Sequence, residues 1–304
     1  MDSKQTQAGS VGYQVVHSQY HGDGIQSTKE YQTHETIFSE VPFYFLQSLP
    51  NRQNVLICSC CNRFLGSVGI QLKYLQKEVT RQDLSEDGKA RDVKEYRFLS
   101  PIFPCPFQCG DLYCSEECQQ AHWHEKGHCQ LCTGQIDEND IDSSALYKLK
   151  VFAVQSNEIF LMISDIIAQW IIRNENPALQ PKIMNSVDVF NHYVRNIWWE
   201  AITIPKNQKK KDFQKILQNL VSDVWDNLND TFALKEKGYD KIFSKEWIAR
   251  TIGMFEQNNV GVRLENPVLT FLKELQEDQT PAELLEELYQ EVGKVRDAIE
   301  GSFV

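Results

Sequence analysis

Eight side chains between positions 58 and 132 have the types and spacing to hold metal. They fall in four close pairs: Cys58 with Cys61, Cys105 with Cys109, Cys114 with Cys118, and His128 with Cys132. Two tetrahedral zinc ions would need four N or S ligands each, which these thiols and one imidazole supply in full. A filled coordination sphere leaves no position for an activated water, so the chemistry implied is a structural brace. A disulfide framework is the competing reading and fits poorly. The cysteine count of nine is odd, no secretory leader is evident at the start, and the spacings are those of metal knuckles. Cys60 and Cys129 are left over; Cys60 could replace a neighbour, although two residues between Cys58 and Cys61 make the standard knuckle.

A second motif overlaps the fourth pair. His124-Glu125-Lys126-Gly127-His128 is a literal H-E-x-x-H, the helical signature of zinc proteases. That chemistry needs both histidines on one helix face and the glutamate on a metal-bound water. Gly127 weakens the helix, no apolar helical run surrounds it, and the nearby cysteines are better zinc ligands. The brace is favoured.

The elements that must position these residues come next. With 304 residues, 41% hydrophobic and 24% charged, the chain can fold as two domains or as one carrying an insert. Its net charge of -11 argues against nucleic-acid binding and suits a partner with exposed lysines. The apolar stretch from Val151 to Ile172 contains Asn157, Glu158 and Asp165, so it reads as a buried helix rather than a membrane span. Before the cysteines, the segment from Tyr13 reads as short strands. Gly22 and Gly24 bracket Asp23 in a tight turn, and Thr36-Ile37-Phe38 enter a strand ending at Pro42. The charged segment from Gln76 to Asp92 reads as a mobile surface loop. From Leu146 the pattern is helical: one long helix or two before Asn176-Pro177, then Val187 to Ile202, Phe213 to Leu234, Lys245 to Met254, and an acidic amphipathic helix over Pro281 to Gly301. Lys206 and Lys209 to Lys211 read as a solvated loop.

Several of these segments resemble one family. Gly22-Asp23-Gly24-Ile25, followed by Glu35-Thr36-Ile37-Phe38-Ser39-Glu40-Val41-Pro42, resembles the opening of SET-domain protein-lysine methyltransferases, with His34 where the family has glycine. Tyr113-Cys114-Ser115, Cys118-Gln119, Trp123 and His128-x3-Cys132 resemble the second half of a MYND finger. The stretch 62–104 is far longer than in most such fingers. CSCCNRFLGSVGIQL, PCPFQCGDLYCSEEC and LCTG instead resemble the plant trithorax-related SET/MYND branch.

The resemblance implies an α+β fold: a split SET-type β domain, an inserted treble-clef-like two-zinc MYND finger and a large helical region. It divides the chain into a flexible tail (1–10), the N-terminal part of the SET domain (11–57) and the finger (58–134) with its insert 62–104. A helical SET insert (135–257) follows, then the start of a return segment with an acidic terminal helix (258–304). The family's cross-brace assigns Cys58, Cys61, Cys114 and Cys118 to one zinc, and Cys105, Cys109, His128 and Cys132 to the other. S-adenosylmethionine would approach the backbone of Gly22, Asp23 and Gly24 and the side chain of Asn258, with Asn259 as alternate. From the residues alone, Asn258 reads equally well as a helix C-cap.

The implied function is methyl transfer to a protein lysine, histones being the usual substrate, in the nucleus or cytoplasm. The family's N-H-S-C-x-P-N segment and its later tyrosine strand have no counterpart in these residues. The expectation is therefore a truncated chain, inactive as given, with no catalytic residue to assign and weak or absent S-adenosylmethionine binding. The alternative is a non-catalytic zinc module that binds a protein, through a histone tail or a proline-containing peptide. Neither nucleic acid nor membrane is an expected partner.

Overall fold

The computed structural model describes residues 12–18, 22–39, 42, 44–87, 93–136, 144–176, 178, 193, 195–262, 264–277 and 282–295. The chain divides into two compact units, one ending at Phe45 and the other starting at Leu46.

The first unit is built on a hairpin. Strand β1 (Tyr13–Ser18) pairs antiparallel with β2 (Gly22–Ser27), Val15 lying opposite Ile25 and Val16 opposite Gly24. This corrects the turn expected at Gly22-Asp23-Gly24: those residues enter the strand, and the connection is made by 19–21, outside the described residues. The strand expected over Thr36-Ile37-Phe38 is also absent, since 35–39 pair with nothing as a ladder. Ile37 and Phe38 remain 47% and 42% exposed, so no buried face pulls them into a sheet. The expected end of that strand, Glu40 and Val41, lies outside the described residues.

The second unit begins with a finger. Helix α1 (Leu49–Arg52) leads into the first knuckle; β3 (Gly66–Ser67) pairs with β4 (Phe98–Ser100), and β5 (Phe103–Pro104) with β6 (Leu112–Tyr113). Between β3 and β4 lie α2 (Val68–Leu75) and α3 (Arg81–Asp87). The loop expected from Gln76 to Asp92 is therefore partly helix, and Leu84 is fully buried. Charge on one face hid an apolar anchor on the other. Residues 88–92 lie outside the described set. Helix α4 (Glu116–His124) and the single turn α5 (His128–Leu131) complete the finger.

The helical region follows. Helices α6 (Ala145–Ser156) and α7 (Ile159–Glu175) divide at Asn157, whose extended backbone stops the first and whose Oδ1 accepts from Ile159 N at 3.0 Å to start the second. Of the helix expected over 187–202, the described residues show α8 (Trp198–Ala201), with 195–197 extended or irregular; 187–192 and 194 lie outside the described residues. Helix α9 (Lys210–Phe232), where a helix over Phe213 to Leu234 was expected, buries Leu217, Val221, Val224, Trp225, Leu228 and Phe232 along one apolar stripe. Helix α10 (Lys245–Asn258) is capped by Ser244, whose hydroxyl accepts from Trp247 N at 3.2 Å. It packs tightly on α8: a Cβ on Gly253 would lie 2.0 Å from Asn196 O, so glycine is required there.

Two further helices, α11 (Pro267–Glu277) and α12 (Ala282–Gly293), share an apolar cluster with α2. The second of these falls where the acidic amphipathic helix was expected. Among the described residues no helix is long and apolar enough to cross a membrane. Among the described residues the observed class is mixed: helices with three two-stranded sheets.

Candidate metal centres

The first knuckle forms where a bridge between Ile57 and Phe64 closes a tight loop. Cys58 N donates to Arg63 O at 2.8 Å and Asn62 N to Cys58 O at 3.0 Å. Asn62 takes the left-handed conformation (φ 63) that asparagine tolerates better than most residues. The loop turns Cys58 and Cys61 to one side. Two more thiols arrive from β6 and α4. Ser115 caps α4 by accepting from Cys118 N at 3.2 Å, which sets Cys118 in the first turn beside Cys114. Sγ of Cys61 lies 3.5 Å from that of Cys114, and Cys114 3.6 Å from Cys118.

The second knuckle repeats the device after β5. Gln108 N donates to Cys105 O at 2.9 Å, with Gln108 at φ 57 and Gly110 at φ 87. His128 opens α5 and Cys132 ends it. His128 Nε2 stands 3.5 Å from Sγ of both Cys105 and Cys109, and Cys105 lies 3.7 Å from Cys132. In each group of four, the ligand atoms lie within 4.8 Å of one another. First pair meets third and second meets fourth.

Both donor sets, four thiols and three thiols with an imidazole, suit a tetrahedral zinc ion. All nine cysteines are free. Burial pushes the Cys58 thiol up to about 11, and the Cys132 hydrogen bond together with burial pushes Cys109 up to about 12. Cys58 and Cys109 thus favour the neutral thiol, and a divalent cation would stabilise the thiolate at each.

Residues missed in the sequence surround the second group. His128 is 3% exposed, and its Nδ1 lies 3.3 Å from Asp111 Oδ2. The other carboxylate oxygen accepts from Arg52 Nη2 at 2.6 Å and from Ser59 Oγ at 3.1 Å. Burial pushes the Asp111 carboxyl up, but Arg52, then His128 and His122, outweigh it and hold it well below the usual carboxylate range. His122 stacks on His128 with centroids 4.8 Å apart, and its Nδ1 meets the Tyr113 hydroxyl at 2.9 Å. Burial, chiefly, brings His122 down to about 4, so it stays neutral. Asp111 stands two residues after a ligand and could have been noticed; nothing in the sequence marks Arg52.

The protease signature does not assemble. His124 ends α4, Gly127 adopts φ 92, and His128 starts a separate turn. Gly127 is required twice over, since a Cβ would also meet Ala168 Cβ at 2.9 Å and Gln169 N at 3.0 Å on α7. Gly22, Asp23 and Gly24 lie in β2 of the first unit. Asn258 ends α10 in the second, where its Nδ2 donates to Met254 O at 2.7 Å as a helix-end cap would.

A cleft of about 240 Å³ opens beside the second group, lined by Pro106, Phe107, Gln119, Gln120, Trp123 and His124 among others. Phe107 and Trp123 stack at 4.8 Å along it, and Phe107 is 53% exposed.

One curated relative bears on function. The chain is 24% identical over 316 residues to the histone-lysine N-methyltransferase ATXR2 of Arabidopsis thaliana. The likeness covers 84% of this chain and 66% of that protein. The chain thus spans a little under two-thirds of its relative's length and is its distant homologue. No family model and no solved structure matches the chain.

Proposed function

We propose that this chain belongs to the SET-domain protein-lysine methyltransferases and carries a MYND-like finger braced by two zinc ions. The observation that carries the proposal is the likeness to a histone-lysine methyltransferase over most of the chain. The two cysteine groups in the middle of it support the finger. Cys58, Cys61, Cys114 and Cys118 would hold one zinc, and Cys105, Cys109, His128 and Cys132 the other. Closed coordination gives both ions a folding role.

The reaction proposed is transfer of a methyl group from S-adenosylmethionine to a protein lysine, a histone being the substrate class the relative's name supplies. By the same resemblance, backbone at Gly22, Asp23 and Gly24 is proposed to approach S-adenosylmethionine, and the Asn258 amide is separately proposed to contact its amino-acid part. In-line transfer requires positioning and removal of an amine proton. Among the described residues none is assigned that proton step. The test uses the protein immunoprecipitated from its native cells, with labelled S-adenosylmethionine and core histones. Label on lysine, lost when Asn258 is changed to Ala, upholds the proposal; an intact precipitate that labels no protein defeats it.

The second reading is a peptide-binding zinc module, favoured by the Phe107–Trp123 cleft. Titration with proline-containing peptides, followed by tryptophan fluorescence, should give saturable binding that Trp123→Ala abolishes.

A further inference from the structure

We infer that Asp111 is the positioning residue of the second metal site: its carboxylate accepts a hydrogen bond from Nδ1–H of His128, which keeps the proton on that nitrogen and leaves Nε2 as the one that faces the metal. The inference rests on the two-zinc reading above and goes beyond it. A neutral imidazole can carry its proton on either nitrogen, and only the bare nitrogen can ligate. His128 is therefore useful only if something chooses the tautomer.

The choice is visible in the surroundings of the ring. Nε2 points at Cys105 and Cys109, 3.5 Å from each sulfur. Nδ1 points the other way, 3.3 Å from Asp111 Oδ2. His122 cannot do the same work, because its own Nδ1 is engaged by the Tyr113 hydroxyl at 2.9 Å and its ring meets His128 by the face. Asp111 is in turn held: Arg52 occupies its other oxygen at 2.6 Å and Ser59 at 3.1 Å. Ser59 lies inside the first knuckle, between Cys58 and Cys61. The carboxylate thus spans from the histidine of one group to the backbone loop of the other, and Ser59 N fixes that loop by donating to Leu112 O at 2.9 Å. Outer-sphere carboxylates of this kind set ring orientation and ligand basicity, and their loss costs roughly 10–100-fold in metal affinity.

The experiment uses the whole chain labelled with nitrogen-15 at histidine, titrated with zinc against a chelator and, in parallel, with cobalt. Wild type should show two metals and a His128 protonated on Nδ1 with Nε2 metal-shifted. Asp111→Asn should weaken the second site roughly 10–100-fold and leave the cobalt–thiolate absorption of the four-cysteine site unchanged. Ser59→Ala should shift the second site in the same direction by less. Unchanged second-site affinity in Asp111→Asn, or His128 ligating through Nδ1, would overturn the inference. Should Asp111→Asn fail to fold, Ser59→Ala decides, and wild-type affinity there refutes it. A wild-type chain that binds fewer than two metals defeats the two-zinc reading instead, so the two failures are distinguishable.

Discussion

At the scale of single residues, histidines four apart have opposite fates. His128 is buried against two sulfurs, while His124 lies on the wall of an open cleft at the end of α4. We expect His124→Ala to keep two zinc ions per chain by metal analysis. His128→Ala should retain one. Loss of metal in the first variant would reopen the H-E-x-x-H reading. A second residue carries more weight than its type suggests. Gln71 is fully buried on α2; its Oε1 accepts from Leu56 N at 3.0 Å and its Nε2 donates to Leu56 O at 2.7 Å and Leu65 O at 2.8 Å. These backbone groups flank the first knuckle; Leu56 O also accepts from Leu65 N at 3.0 Å, so Leu56 N and Leu65 O are the ones that depend on Gln71. Gln71→Ala should therefore cost about 1–3 kcal/mol or more in urea unfolding, because orphaned buried groups outweigh the loss of the bonds themselves.

At the scale of elements, α2 works on two faces. Ile70 and Tyr74 join the finger core with Leu56, Leu65 and Leu112. Val68, Leu72 and Leu75 face the other way, into a cluster with Val268, Phe271, Leu272, Leu288 and Val292 of α11 and α12. A charged rim surrounds this second contact: Arg97 pairs with Glu274 and lies over the Phe271 ring, and Lys94 meets Glu287 at 2.6 Å. Exposed pairs of this sort contribute little, about 0–1 kcal/mol each, so the apolar residues decide the affinity and the charges the register. Leu72, 2% exposed, should cost about 2–5 kcal/mol when cut to alanine and should raise hydrogen exchange over 267–295. An unchanged exchange pattern would show that α11 and α12 hold without α2. In the helical region, Gly253→Ala should separate α8 from α10 and lower the midpoint of thermal unfolding. Its Cβ would meet backbone, which cannot swing away.

At the scale of the whole molecule, the two parts of the second unit are held by different physics. The helical region buries apolar faces of long helices, including Phe160, Ile163, Ile167 and Val224, and needs no metal to do so. Sheets of two-residue strands cannot hold the finger by themselves. A structural zinc contributes on the order of 10 kcal/mol of folding free energy, as much as the entire stability of a typical domain. Chelation should accordingly melt 56–132 and, through α2, release 267–295, while 210–258 keeps its helical circular dichroism and exchange protection. Simultaneous loss of all helical signal would show instead that the finger also supports the helical region.

Some features are local. The four close pairs of cysteine and histidine, the break at Gly127 and the amphipathic course of α12 are chemical or periodic features within a few residues of one another, and they are legible without a structure. Other features depend on what a segment meets. Thr36 to Phe38 have strand-forming side chains but no buried face to join, so no strand forms. The charged insert hides Val79 and Leu84, and its helices fold because the finger core accepts them. Asp111, Arg52 and Ser59 acquire a role only when the two knuckles are brought side by side. The sequence by itself determined which residues could bind metal and how they pair along the chain. Tertiary structure decided which nitrogen of His128 faces the sulfurs, and which carboxylate stands behind it, because orientation is set by neighbours distant in the chain.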